Sequence, residues 1–162
     1  MRAEFREGRH ESSFMKDSPL KVETILVPTD FSATAEKALA YAAALARRFR
    51  ARISLLHVIT PLPYPVDMLY VPADQSLAIS PARKKLDALA KAFIPSAQRG
   101  AMVARMGVPH ETIADYDRSE KMDLIVIGTH GRSGLKHLLL GSIAERVVQK
   151  APCPVLTVKT KD

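Results

Sequence analysis

After about residue 20 the spacing of hydrophobic and polar positions changes repeatedly, and the changes predict strands alternating with helices. Thr24-Ile-Leu-Val27 is a short β-branched run closed by Pro28, which predicts a buried strand. Ser32 can cap a helix reaching about Arg48. There Ala38, Ala42, Leu45 and Phe49 recur at spacings of four, three and four, with Leu39 and Ala46 widening the stripe. So many alanines let that helix lie close against a sheet. Arg52–Ile59 predicts a second strand. Ser80 followed by Pro81 reads as an N-cap with proline at the first helical position, and Leu86, Leu89, Ala90 and Phe93 give the stripe of a second helix. Ala101–Arg105 is a weaker third strand, and Gly107 and Pro109 open a short helix carrying Ile113 and Tyr116. Asp123–Ile127 is the most hydrophobic run and is expected at the centre of the sheet, covered on both faces. A glycine-bearing loop from Gly128 to Leu140, a helix from Ser142 to Lys150 with Ile143, Val147 and Val148 facing inward, and a strand Pro154–Val158 complete the series.

Strands alternating with helices are joined by right-handed crossovers into a parallel sheet. The fold class expected is therefore α/β: one doubly wound, Rossmann-like parallel sheet with helices on both faces. Residues 60–80 hold Pro61, Pro63, Pro65 and Pro72 among Tyr64, Met68, Leu69 and Tyr70, and proline at that density predicts a long loop. Residues 1–20 mix Arg and Glu without apolar period and read as a flexible arm before a domain spanning 21–162.

Composition narrows the class. The 162 residues suit one domain, and 47% hydrophobic with 25% charged residues is globular rather than disordered. Cys153 is the only cysteine, which excludes an intrachain disulfide. No apolar run approaches a membrane span, and the charged start lacks the apolar core of a secretory signal, so the expectation is a cytoplasmic protein without a membrane partner. A net charge of +7 permits an anionic partner. Along the chain, however, the basic residues are scattered as Arg47, Arg48, Arg50 and Arg52, then Arg83, Lys84 and Lys85, then Arg132 and Lys136. That scatter, with no Trp and 6% aromatics, argues against nucleic acid as the partner.

The informative segment is Gly128–Ile143, GTHGRSGLKHLLLGSI, which runs from the end of a buried strand to the start of a helix. This is the geometry that presents helix N–H groups and the positive end of the helix dipole to an anion. Gly128 and Gly131 let backbone approach a ligand and adopt positive φ. Gly141 and Ser142 place a residue without a side chain and a hydroxyl at the next helix N-terminus, and Arg132 and Lys136 add positive charge. The segment is neither a Walker A loop nor a GxGxxG fingerprint. Spacing alone leaves open whether these glycines bind a ligand or only make turns. A second constellation favours a ligand: Asp30 lies just past the first strand, and ligands of doubly wound sheets bind at the carboxyl edge where strand order reverses. If the first strand neighbours the fourth, Asp30 faces Gly128 across the crevice. Its carboxylate suits nucleoside hydroxyls or an amino group; the competing role is capping the helix after it.

From about Lys21 to Lys159 the chain resembles a universal stress protein domain. The resemblance rests on Val-Pro-Thr-Asp-Phe-Ser (27–32), Leu-Leu-His-Val-Ile (55–59), Met-Gly-Val-Pro-His (106–110), Gly-Thr-His-Gly through Leu-Gly-Ser (128–142) and Pro-Cys-Pro-Val-Leu-Thr-Val (152–158). The family pattern G-x2-G-x9-G-[S/T] is met by Gly128, Gly131, Gly141 and Ser142, and marks the ATP-binding branch. The resemblance implies ATP as ligand, with magnesium or manganese able to enter on its phosphates. It implies that Asp30, flanked by Pro28 and Thr29, and the backbone at Val58 hold the adenosine end, and that Ile127 and Gly128 line the ribose region. Gly131, Arg132, Gly141, Ser142 and Ile143 would surround the phosphates, with His130 in the same loop. It further implies strand order 3-2-1-4-5 and a homodimer through Val155–Val158. An edge strand is a ready template for such pairing.

Other chemistry is less well supported. His57, at a strand end, reads as a packed sheet residue, and His110 as structural. No His, Cys, Asp and Glu cluster has metal-ligand spacing, Ser133 lacks the context of a hydrolase nucleophile, and no residue presents itself to position an attacking water. The expected function is nucleotide-dependent regulation in a stress response with slow or no hydrolysis. A slow ATPase or phosphotransferase and a nucleotide-independent interaction module are the competing readings.

Overall fold

The computed structural model describes residues 21–61, 76–129 and 141–159. The elements are β1 (Thr24–Pro28), α1 (Ala33–Phe49), β2 (Arg52–Ile59), α2 (Ser76–Phe93), a 3-10 turn (Ser96–Gln98), β3 (Arg99–Met106), α3 (Pro109–Glu120), β4 (Leu124–Gly128), α4 (Ser142–Lys150) and β5 (Val155–Val158). The strands form one sheet in the order β3-β2-β1-β4-β5, with every pairing parallel. The α/β class, the helices on both faces and the strand order are as expected.

Alternation along the strands divides the core. Ile25, Val27, Ile53 and Leu55 face α1 and α2, where Ala38, Ala42, Leu86 and Ala90 close the layer. Leu26, Leu56, Ile125 and Ile127 face α3 and α4, against Ile113, Tyr116, Ala144 and Val147. Removing these side chains from water supplies most of the driving force, roughly 1.5–3 kcal/mol for each large one. In β4, Ile125, Val126 and Ile127 are all buried, as a central strand requires.

Several local expectations are corrected. Helix α2 begins at Ser76, not after Ser80, and includes Pro81. The proline ring is exposed and stands near the start of the helix, where it removes one backbone hydrogen bond without interrupting the later turns. Residues 76–80 are thus helical, although they belong to the segment expected as loop. Phe49 ends α1 partly exposed rather than in its buried stripe, since the buried positions Ala35, Ala38, Leu39, Ala42, Ala43 and Ala46 stop one turn earlier. In α4 the buried residues are Ala144 and Val147, while Ile143 and Val148 stay exposed.

At the edge opposite the carboxyl ends, Asp123 ties β1 to β4. Its Oδ2 accepts from the backbone N–H of Glu23 (2.8 Å) and Thr24 (2.9 Å) and from the Thr24 hydroxyl (3.0 Å). Partial burial pushes the Asp123 carboxyl up, but those three donors together with the Lys21 charge outweigh it and hold the group below its ordinary value.

Candidate functional site

Parallel connections bring every strand-to-helix turn to the carboxyl edge of the sheet, and strand order reverses there between β1 and β4. A cavity of about 580 Å³ opens at this switch point. Ligand sites of small molecules fall at such places and in this size range, roughly 300–1,000 Å³.

The first wall is the turn after β1. Thr29 N–H donates to the Leu56 carbonyl at 2.9 Å, and the Thr29 carbonyl lies 2.7 Å from His57 Nδ1. Thr29 Oγ1 accepts from Phe31 N–H at 3.1 Å, and Phe31 takes the left-handed conformation at φ 63°. The Phe31 ring packs on His57 with centroids 4.6 Å apart. Asp30 Oδ1 accepts from Ser32 N–H at 3.0 Å, while Ser32 itself is the N-cap, accepting from Ala35 N–H at 3.2 Å. The cap of α1 therefore belongs to Ser32. Asp30 fixes the turn leading into it and also lines the cavity.

The opposite wall is the end of β4 and the start of α4. Gly141 is the N-cap residue of α4, and among the described residues no side chain caps the helix. Ser142 is thus the first helical residue rather than a cap, and the opening N–H groups of α4 have no partner within the helix. Thr129 is buried; its N–H donates to the Val158 carbonyl at 2.9 Å and its carbonyl accepts from Gly141 N–H at 2.6 Å. The chain leaving β4 and the chain entering α4 are joined at that point.

Gly128 owes its identity to packing. Among the described residues the glycine with positive φ is Gly107, so a left-handed turn is not what Gly128 supplies. A Cβ at 128 would stand 2.8 Å from Thr34 Cγ2 and 3.1 Å from the Thr34 carbonyl oxygen. The missing side chain lets α1 approach β4.

Pro28, Thr29, Asp30, Val58, Ile127, Gly128, Gly141, Ser142 and Ile143 all line the one cavity. His130, Gly131 and Arg132 lie outside the described residues. Pro109 and Ile113 of α3 form an apolar flank of the cavity that the sequence motifs do not mark, and His57, expected as a packed sheet residue, lines it too. The position of α3 was the available signal, since a helix after β3 must start at the carboxyl edge.

Cys153 is no nucleophile: burial first, and then Asp117, push its thiol up to about 12. Among the described residues no three His, Cys, Asp or Glu side chains gather to hold a metal ion, and no helix is long and apolar enough to cross a membrane.

A family model described as the universal stress protein family matches residues 21–159. Universal stress protein MJ0531 of Methanocaldococcus jannaschii is 34% identical over 154 residues, covering 91% of this chain and 88% of that protein. The solved structure of MJ0577, from the same organism, aligns with a TM-score of 0.75 at 34% identity over 88% of this chain and 99% of its own. A universal stress protein solved in complex with cAMP shares the fold, with a TM-score of 0.63 at 23% identity over 87% of this chain and 99% of that one. The chain belongs to the universal stress protein family.

Proposed function

We propose that the carboxyl-edge cavity binds an adenine nucleotide, ATP in the first instance, and that occupancy regulates the protein's contacts in a stress response. The observation that carries this reading is the convergence of Asp30 and the uncapped start of α4 on one cavity of about 580 Å³. Asp30 lines the cavity, and a carboxylate suits ribose hydroxyls while repelling phosphate. Val58, Pro109 and Ile113 offer an apolar slot for a base, with Val58 backbone to meet its edge. Ile127 and Gly128 border the ribose, and the N–H groups of Ser142 and Ile143 face the phosphates with the helix dipole behind them. His130, Gly131 and Arg132 complete the phosphate side, and a magnesium or manganese ion is held mainly by phosphate oxygens and water. The related fold solved with cAMP supports the adenine class.

Among the described lining residues, the one carboxylate and the one imidazole are Asp30 and His57, both at the β1 and β2 ends rather than beside α4. That placement leaves no base among them next to the phosphates, which favours binding with slow or no hydrolysis. The second part of the proposal is a homodimer through Val155–Val158. It is supported by β5 standing at the sheet edge with Leu156 exposed.

Mass spectrometry of small molecules released from freshly purified protein should detect adenine nucleotide. By calorimetry, Asp30→Ala and Gly131→Val should each weaken ATP binding at least tenfold. Unchanged affinity in both folded variants refutes the site. Turnover that survives purification and vanishes in Gly131→Val would establish the enzyme reading instead.

A further inference from the structure

The basic residues scattered along the sequence are gathered by the fold. Helices α1 and α2 cover the same face of the sheet, and α3 and α4 cover the other. Through α1, the turn that follows it to Arg52, and α2 there are nine basic residues against two acidic ones, Glu36 and Asp87. Helices α3 and α4 carry three basic residues against five acidic. Among the described helices the excess is therefore a property of one face of the sheet and not of the other. Among the described residues none of the cations on that face is paired with a carboxylate. Concentrating unpaired like charges costs stability through self-repulsion.

The cations fall at two poles. Arg47, Arg48, Arg50 and Arg52 stand exposed at the carboxyl end of α1, with Lys91 near the end of α2. Arg83, Lys84 and Lys85 stand exposed at the middle of α2, and Lys85 reaches over the Phe31 ring beside the start of α1. Helix α1, 17 residues long, spans about 25 Å at 1.5 Å per residue, so no small anion meets both poles. Between them run Ala40, Tyr41 and Ala44, all exposed and, Tyr41 apart, small. Tyr41 is 52% exposed and Phe49, among the arginines, 37%.

We infer that the α1/α2 face docks the phosphate backbone of a nucleic acid. Arginine forks match phosphate geometry, and an exposed tyrosine between two basic poles offers a base a surface to stack on. An anionic lipid surface fits less well: Tyr41, Phe49 and the exposed Leu77 are separated by small or charged residues rather than forming the continuous apolar face that enters a bilayer. This docking can be tested apart from the nucleotide reading, since Arg47, Arg48 and Arg50 at the far end of α1 do not line the cavity, whereas Ala35 at its start does.

The test is fluorescence anisotropy with labelled 25-nucleotide DNA, single-stranded and duplex, against the full chain at 50 and 200 mM salt. Neutralising about four phosphates predicts a loss of affinity on the order of 100-fold across that range. Arg47→Glu/Arg48→Glu/Arg50→Glu should bind at least tenfold more weakly and flatten the salt slope. The control Arg118→Glu/Lys121→Glu/Arg146→Glu, on the other face, should stay within twofold, with circular dichroism confirming that both are folded. No binding at 50 mM, equal losses in both variants, or binding to phosphatidylserine vesicles without binding to DNA would each overturn the inference.

Discussion

Gly128 offers the sharpest test of why the glycine ending β4 is where it is. Carbon atoms in contact sit about 3.5–4.0 Å apart, so a Cβ at 2.8 Å from Thr34 Cγ2 overlaps it by roughly an ångström. Thr34 is buried and β-branched, hence stiff, and its carbonyl oxygen at 3.1 Å cannot swing aside without moving the first turn of α1. Overpacking of this kind costs about 1–3 kcal/mol. Gly→Ala also stiffens the unfolded chain, which offsets about 0.4–1 kcal/mol. Gly128→Ala should therefore destabilise by roughly 0.5–2 kcal/mol, lowering Tm by roughly 2–6 °C in a domain of this size. Urea unfolding should show the midpoint falling with an unchanged slope. Thr34→Ser removes Cγ2, so the double variant should recover part of the loss and reveal coupling between the two sites. A Gly128→Ala protein as stable as its parent, with nucleotide binding nevertheless abolished, would refute the packing account and return the glycine to the ligand.

Four further outcomes follow from the hydrogen bonds and the thiol. Asp123→Ala, which strips three donors of their acceptor, should cost about 1.5–3 kcal/mol in denaturant titrations, as charge-assisted bonds do. Because the folded carboxyl is held below its unfolded value of about 3.9, its contribution is present above that pH and is lost as pH falls through the folded value; Asp123→Asn should therefore make acid unfolding below about pH 4 less steep. Ser32→Ala removes the α1 cap and should cost about 1 kcal/mol by thermal melting, with Asp30→Asn leaving that cap intact. Cys153, with its thiol near 12, should react with iodoacetamide at pH 8 about a thousandfold more slowly than a free cysteine, and alkylation at the free rate would show that the thiol is neither buried nor raised.

Much of the scaffold was legible because burial leaves marks in the sequence. Ile25, Leu26 and Val27 are apolar without interruption since both faces of β1 are covered, and the alanines of α1 announce a close approach to the sheet. Strand order was not legible from periodicity: alternation of elements fixes handedness but not neighbours, and the order came from resemblance. The start of α2 escaped because Ser80-Pro81 has the form of a helix beginning, and only an exposed proline with tolerant neighbours lets the helix run back to Ser76. Ile143 and Val148 were assigned inward since a nine-residue helix has too few turns to define its stripe. At the site, Asp30 and Gly141–Ile143 were readable as chemistry beside strand ends. The apolar flank of Pro109 and Ile113 and the packing reason for Gly128 required the third dimension. So did the basic face, whose two poles share one side of the sheet but are separated by more than thirty residues in the chain.

The bond from Gly141 N–H to the Thr129 carbonyl fastens the base of the segment between them to the sheet. Because that bond sets the start of α4 beside the end of β4, the sequence between them can be exchanged without re-registering β4 against β5. This makes the 130–140 stretch a natural cassette. Swapping it between paralogues should retune what the crevice accepts while the five strands beneath keep their melting behaviour.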